Sequence, residues 1–294
     1  MPSTRRASGS IQGARLTIEE IDGRGERALS AAAALSRHGT GDLVRLTGLT
    51  DEEILALNGA DSASEFDLPW ISARESMNPS FSRDEARLGA LRSLILRGHI
   101  LHEGTMSTIE KREPLDDATA YMPDALMTGI LTRRALSPRT VRVADTLDEA
   151  TTVLRLFIDT DGTVLHELIT PDGLHHFFMS DLPHAGTAFL HRVDPSRRTP
   201  GESAEEGIFH GDMATLAADD RFAPVIANAA PSSQIIVTER ASRVSEEYRV
   251  AVSDAGTAVL RPSMSDEDVE AIQVSLPELT SMLEELIQPA PPIA

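Results

Sequence analysis

The chain has 294 residues, 41% of them apolar and 25% charged, and its 46 acidic against 27 basic side chains give a formal charge of −19. That is ordinary globular composition at a length suited to about two domains, and such a field excludes general nucleic-acid binding unless basic residues are strongly segregated. The absence of cysteine excludes disulfides, thiolate metal sites and a cysteine nucleophile, and no apolar run reaches the roughly 20 residues that a membrane-spanning helix needs.

Residues 1–13 are polar and rich in Gly and Ser, and read as a disordered tail. The start MPSTRRASGS carries two arginines with no apolar segment behind them, which is not the layout of a secretory signal. Residues 14–80 read as an N-terminal region of helices and loops. A helix is predicted over about 24–38, stopped by Gly39 and Gly41. A second, DEEILALNG, opens at Asp51 with Thr50 as N-cap and Glu53 as its partner in a capping box. The stretch 58–80 reads as loop, with Trp70, the single tryptophan, as the anchor that packs it onto the body.

Ser82 to Leu101 gives the clearest helical pattern. Glu85 follows Ser82 at capping-box spacing, Leu88, Leu91, Leu94 and Ile95 mark one apolar face, and the helix closes at Arg97-Gly98. Residues 103–122 read as polar and irregular. A helix from Pro123 to Arg134 follows, with proline placed for a first turn.

From residue 140 the pattern changes to strands. Thr140–Val143, Thr152–Thr160, Thr163–Thr170 and Leu174–Met179 are separated by Asp161-Gly162 and Asp172-Gly173, the strongest short hairpin signal. Leu182-Pro183 then starts a helix to about Val193. Residues 194–207 have linker composition, and a helical stretch near 211–229 follows. Strands return at Gln234–Glu239, Glu247–Ser253, Thr257–Arg261 and Val269–Val274, and Leu276-Pro277 opens a last helix to about Ile287, with Ser275 and Glu278 as a further capping box.

The two strand blocks align at one offset. Val143 with Val237, Arg155 with Arg249, Gly162-Thr163 with Gly256-Thr257 and Leu182-Pro183 with Leu276-Pro277 all differ by 94 positions, with no gap. The expectation is an α+β fold built from an internal duplication: a first half at 81–193 and a second at 208–288, each an antiparallel meander under its own helix, related by pseudo-two-fold symmetry.

Six of the nine histidines lie between 166 and 210: His166, His175, His176, His184, His191 and His210. With a two-residue turn at Asp172-Gly173, His166 and His175 share a sheet face but stand four rungs apart, roughly 13 Å at strand rise. One metal ion needs its ligands at about 2 Å. His175 and His176 point to opposite faces. Carboxylate runs at 51–53, 219–220 and 266–268 lack an ion-loop pattern, and no phosphate loop, serine elbow or dinucleotide fingerprint is present. No residue is therefore singled out as catalytic, cofactor-binding or metal-binding. The segment LRSLILRGHI suits a winged-helix reading, but the next helix offers a groove only Arg133 and Arg134, which complement its C-terminal dipole. Lys111 is the only lysine, the codon habit of a GC-rich genome.

RLGALRSLILRGHI, PDALMTGILTRRALSPRTVRV, LRLFIDTDGTVLHELIT, its second copy YRVAVSDAGTAVLRPS, and VSLPELTSMLEELI together resemble the EspG family, cytosolic chaperones of type VII secretion. The resemblance covers about 82–288. It implies a pseudo-two-fold α+β protein that binds the exposed tip of a secreted partner and keeps it soluble, in an actinobacterium. The N-terminal region and the 103–122 loop are longer than the family's, and no partner-binding residue carries over. The expected function is thus a non-enzymatic cytoplasmic protein-binding protein, which predicts an apolar patch on one half that its copy lacks. An enzyme or metal site around 166–210 instead predicts a pocket where at least three of those histidines converge. A DNA-binding regulator predicts a basic stripe.

Overall fold

The computed structural model describes residues 23–58, 67–113, 121–147, 150–202, 207–230, 232–262 and 268–289. The tail expected over 1–13 and most of the carboxylate run at 266–268 lie outside them. No described helix is long and apolar enough to cross a membrane.

The alanine-rich helix α1 (Gly23–Ser36) packs on a later helix so closely that a Cβ at Gly129 would stand 2.8 Å from the Ala31 carbonyl. Strand β1 (Val44–Thr50) was not legible in the pattern, and α2 (Asp51–Asn58) follows it directly. The capping box is formed: Glu53 N donates to Thr50 Oγ1 at 3.3 Å, and Thr50 N to Glu53 Oε2 at 3.2 Å. Part of the expected loop at 58–80 is helix α3 (Pro69–Met77), started by Pro69. Trp70 meets Phe81 edge-on at 6.1 Å and packs against the core beneath it, an anchor as expected.

Helix α4 (Arg83–Leu96) is capped by Ser82. Leu94 is buried and Leu91 and Ile95 partly so, but Leu88 of the expected apolar face is 55% exposed. Strand β2 (Ile100–His102), α5 (Glu103–Glu110) and β3 (Tyr121–Pro123) follow, so the supposed irregular stretch begins as a helix. Pro123 belongs to β3, and helix α6 (Ala125–Leu136) starts after the N-cap Asp124. Arg133 and Arg134 do not face solvent at its end. Arg133 is 2% exposed and donates to Ala32 O at 3.1 Å, to Thr163 Oγ1 at 2.9 Å and to Ser36, tying α6 to α1 and the sheet.

Strands β4 (Arg139–Leu147), β5 (Ala150–Ile158), β6 (Thr163–Ile169) and β7 (Leu174–Asp181) form the expected meander, and α7 (Leu182–Val193) follows with Asp181 as N-cap. After β8 (Ile208–Asp212) and the short helices α8 (Met213–Ala218) and α9 (Ala223–Ala227) comes a second meander, β9 (Ser232–Glu239), β10 (Val244–Ser253), β11 (Gly256–Pro262) and β12 (Asp268–Gln273). It leads into α10 (Leu276–Leu286), whose capping box between Ser275 and Glu278 is complete.

The two meanders do not form two sheets. They join through β4 and β9 into one antiparallel ten-stranded sheet of order β1-β7-β6-β5-β4-β9-β10-β11-β12-β8. A meander alone would leave β4 and β9 as open edges, and pairing them satisfies both rows of backbone groups. One face carries α7 and α10 over a shared core, in which Val141, Leu156, Ile235 and Val250 lie under Phe189, Leu279 and Leu283. On the other face the N-terminal helices cover β5–β7 with Ile54, Leu55, Ile71, Leu94 and Met127. The helices α8 and α9 cover β10–β12 with Leu216 and Val225.

The pairing also corrects the gapless offset. Ile158 faces Val164 at the end of the β5–β6 ladder, and the equivalent Val252 faces Thr257, one rung before the β10–β11 ladder closes on Ser253↔Gly256. Between the equivalent pairs the first turn holds one residue more, so across β6 and β11 the offset is 93 (257 − 164); it is 94 at β5/β10 and again between the helices. Across β4 and β9 it is 92 (235 − 143), because Leu154 faces Val143 whereas Tyr248 faces Ile235, so Val143 corresponds to Ile235 and not to Val237. The Asp172-Gly173 turn likewise spans three residues: Gly173 N donates to Thr170 O at 2.9 Å, Thr170 N to Leu174 O at 3.0 Å, and Gly173 sits at φ 76°. This is a type I turn closed by a left-handed glycine, with no room for a Cβ, which would stand 2.6 Å from Trp70 Cβ. His166 therefore faces Phe178 and His175 faces Ile169. The two imidazoles are three positions apart along the ladder and lie on opposite faces.

Candidate functional site

Each helix on the shared face leaves one end of its strands uncovered, and two grooves of about 630 Å³ result. They sit in equivalent places. Ala150, Leu154, Ala188 and His191 beside α7 correspond at 94 positions to Val244, Tyr248, Met282 and Glu285 beside α10, and His166 and Leu168 correspond at 93 to Val259 and Arg261.

Their chemistry differs. The groove beside α7 has an apolar floor of Leu154, Leu168, Phe178 and Ala188, with His191, Arg192 and Arg198 at its rim. Arg192 is held by Asp145 at 2.5 Å, and Asp145 also accepts from Ser233 at 2.5 Å. Burial pushes the Asp145 carboxyl up, against the opposing pull of Ser233 and Arg192. The groove beside α10 is lined by Glu239, Glu246, Glu270 and Glu285, with Arg139 and Arg261 among them. Several of these charges satisfy one another: Arg139 pairs with Glu239 at 2.5 Å, and Tyr248 donates to Glu246 at 2.6 Å. Burial and the Glu246 carboxylate push the Tyr248 phenol up to about 12.

His166 is the deep polar group of the first groove. Burial pushes it down to about 4, so it is neutral at pH 7. Its Nε2 lies 2.7 Å from Ser180 Oγ, and that hydroxyl donates to the Asp181 carbonyl at 2.9 Å. With the serine proton committed, Nε2 must be the donor. A general base would have to accept from Ser180, so the pair is not an activated nucleophile.

The other histidines disperse. His175 lies under the N-terminal cover, and His176 packs beside Gly48 of β1. His184 meets Asp181 and Asp42 at the surface, and His210 sits on β8 near Glu270. His166 and His191 both line the groove beside α7. Among the described residues no group of three or more His, Cys, Asp or Glu side chains is placed to hold a metal ion.

One buried charged cluster leaves no mark in the local sequence. His175 is bonded to Glu167 through Nδ1 at 2.7 Å and to Asp51 through Nε2 at 2.8 Å, and all three are fully buried. Arg134 pairs with Glu167 at 3.2 Å, and Asp51 accepts from Trp70 N and Ile71 N at the start of α3. Burial alone would raise Glu167, but Arg134, His175 and Arg155 outweigh it and hold the carboxyl at about 2. Burial opposes charging of His175, and the two carboxylates overcome it and raise its pKa. The cluster locks α2, α3 and α6 onto β6 and β7. Its partners are distant in sequence, so no local spacing announces it.

No protein-family model and no curated protein matches the chain. Among solved structures it matches the Mycobacterium tuberculosis type VII secretion system chaperone EspG5, solved in complex with a PE25–PPE41 dimer. The match has 7% identity and a TM-score of 0.39, over 64% of this chain and 94% of that one, and it falls in the family that the sequence resembles.

Proposed function

We propose that this chain is a non-enzymatic cytoplasmic protein-binding protein of chaperone type, and that it holds a segment of its partner in the groove beside α7. The carrying observation is the contrast between the twin grooves. They have equal volume and equivalent position, but one presents Leu154, Leu168 and Phe178 beneath a rim of paired arginines and the other presents four glutamates. An apolar floor of this kind, with the rim arginines Arg192 and Arg198 paired to Asp145 and Asp254, suits a segment that presents large apolar residues. The groove supports this reading; the structural match, at a TM-score of 0.39, does not carry it.

We further infer that the two meander-and-helix blocks descend from an internal duplication, a first half at 81–193 and a second at 208–288. The shared element order and the offset near 94 support this. One copy then kept an apolar groove while the other filled its own with paired charges.

The test uses two matched exposed positions. Ala150→Asp places a carboxylate in the apolar groove, and Val244→Asp places one at the equivalent point of the acidic groove. Surface changes of this kind shift stability by about 0.5 kcal/mol or less. Tagged wild-type chain and Val244→Asp are expected to retain the same partner from lysate of the source organism, and Ala150→Asp to lose it. Equal retention by all three, or loss with Val244→Asp alone, overturns the assignment of the groove.

A further inference from the structure

A cavity of about 490 Å³ opens on the sheet face opposite α7 and α10, against α6 and the end of α2. Four arginines line it: Arg134 of α6, Arg142 of β4, Arg155 of β5, and Arg240 just after β9. Asp67 serves both Arg142 and Arg155, at 2.9 Å each, and Glu167 serves Arg134 at 3.2 Å. Arg240 has no ion-pair partner among the described residues. Among the described residues, four guanidinium groups thus face two carboxylates, a local excess of two positive charges.

That excess is unusual here. The chain as a whole is at −19 and has only 27 basic residues, so four arginines around one cavity is a concentration the general composition does not supply. Guanidinium groups that crowd one another in a part-enclosed space are held at a cost. Arg134 shows it: burial lowers its pKa, Glu167 opposes, and the charge of Arg155 lowers it further. An anion that entered would relieve this repulsion, and the planar fork of arginine matches the oxygen pairs of phosphate and carboxylate. Phe157 and Ile236 give the cavity an apolar wall beside the cations.

We propose that this cavity is a binding site for a small multiply charged anion bearing phosphate or carboxylate groups, distinct from the partner groove on the other face of the sheet.

Isothermal titration calorimetry tests it on the full chain, with inorganic pyrophosphate in one arm and citrate in the other, at an ionic strength held constant with sodium chloride. Saturable one-to-one binding in either arm is expected, and the arm that binds more tightly gives the ligand chemistry. Arg240→Gln removes an exposed side chain that has no ion-pair partner among the described residues and should weaken binding about tenfold or more, as loss of a charged hydrogen bond does. Arg249→Gln is the control. It lies 94 positions after Arg155, is exposed, and pairs with Glu247 outside the cavity. Heat no greater than that of the sodium chloride blank in both arms overturns the site, as does equal affinity in Arg240→Gln and Arg249→Gln. Failure here leaves the groove beside α7 untouched, because that groove is read out by partner capture.

Discussion

Strands β6 and β11 hold equivalent places in the sheet, yet they are covered by different kinds of contact. Beneath β6 and β7 lies the chain of the fully buried Asp51, His175 and Glu167 with Arg134 at its end. Beneath β11 and β12 lie Phe209, Leu216, Phe222 and Val225 on the small residues Ala251, Ala258 and Ala271. Apolar packing seats the short helices α8 and α9, with hydrogen bonds from Gln273 Nε2 to Arg221 O at 2.6 Å and from Ala230 N to Val252 O at 3.1 Å at its margins but no buried charge among the described residues, and it tolerates small shifts. Buried charges do not, because each must keep its partner or lose several kcal/mol. The larger N-terminal cover is therefore held in one defined seat, with Asp51 at the N-terminal end of both α2 and α3.

The sharpest way to break this comparison is to cut the charged chain. His175→Gln leaves Asp51 and Glu167 as buried carboxylates without the cation between them, and should cost about 3–5 kcal/mol in urea unfolding. Val269→Ala, 94 positions on and within β12, should cost about 1 kcal/mol. Equal losses would show that the ionic chain does not secure the cover.

A second difference concerns pH. His166 has a folded pKa of about 4 against an ordinary 6.5, so the unfolded chain takes up its proton first as pH falls. Its contribution is complete above 6.5 and is lost progressively down to about 4, in total on the order of 3 kcal/mol. Valine stands at the equivalent place in β11, as Val259. His166→Val should therefore flatten the stability profile between pH 4 and 6.5, measured by denaturant unfolding at several pH values. A profile of unchanged steepness would mean that other groups carry the acid sensitivity.

The smallest expected effect tests where the two blocks agree. Asp181 caps α7 by accepting from His184 N at 3.1 Å, and Ser275 caps α10 by accepting from Glu278 N at 3.5 Å. Asp181→Ala and Ser275→Ala should each lower stability by about 1 kcal/mol in thermal unfolding. A large gap between them would show that the two helix starts are not energetically equivalent.

Much of the layout could be read before any coordinates. The capping pairs Thr50 with Glu53, Ser82 with Glu85 and Ser275 with Glu278, the Leu-Pro helix starts and the Asp-Gly turns all lie within a few residues of their partners, so their chemistry is complete in a short window. Strands β1 and β8 escaped notice because VRLTGLT and IFHGD show no clean alternation, and each becomes a strand by pairing with the outer edge of a meander. The turn at Asp172-Gly173 was seen, but its length was not. One extra residue sends His166 and His175 to opposite faces of the sheet.

Local chemistry in the chain settles which residues begin helices, where hairpins turn and in what order the elements follow, because each of those choices is made among near neighbours. The joining of two meanders into one sheet, the burial of Arg133 and Arg134, the charged chain through His175 and the unlike linings of the twin grooves depend on segments that meet only after folding. Their free energy comes from pairs tens of positions apart or more, and no window along the chain contains both partners.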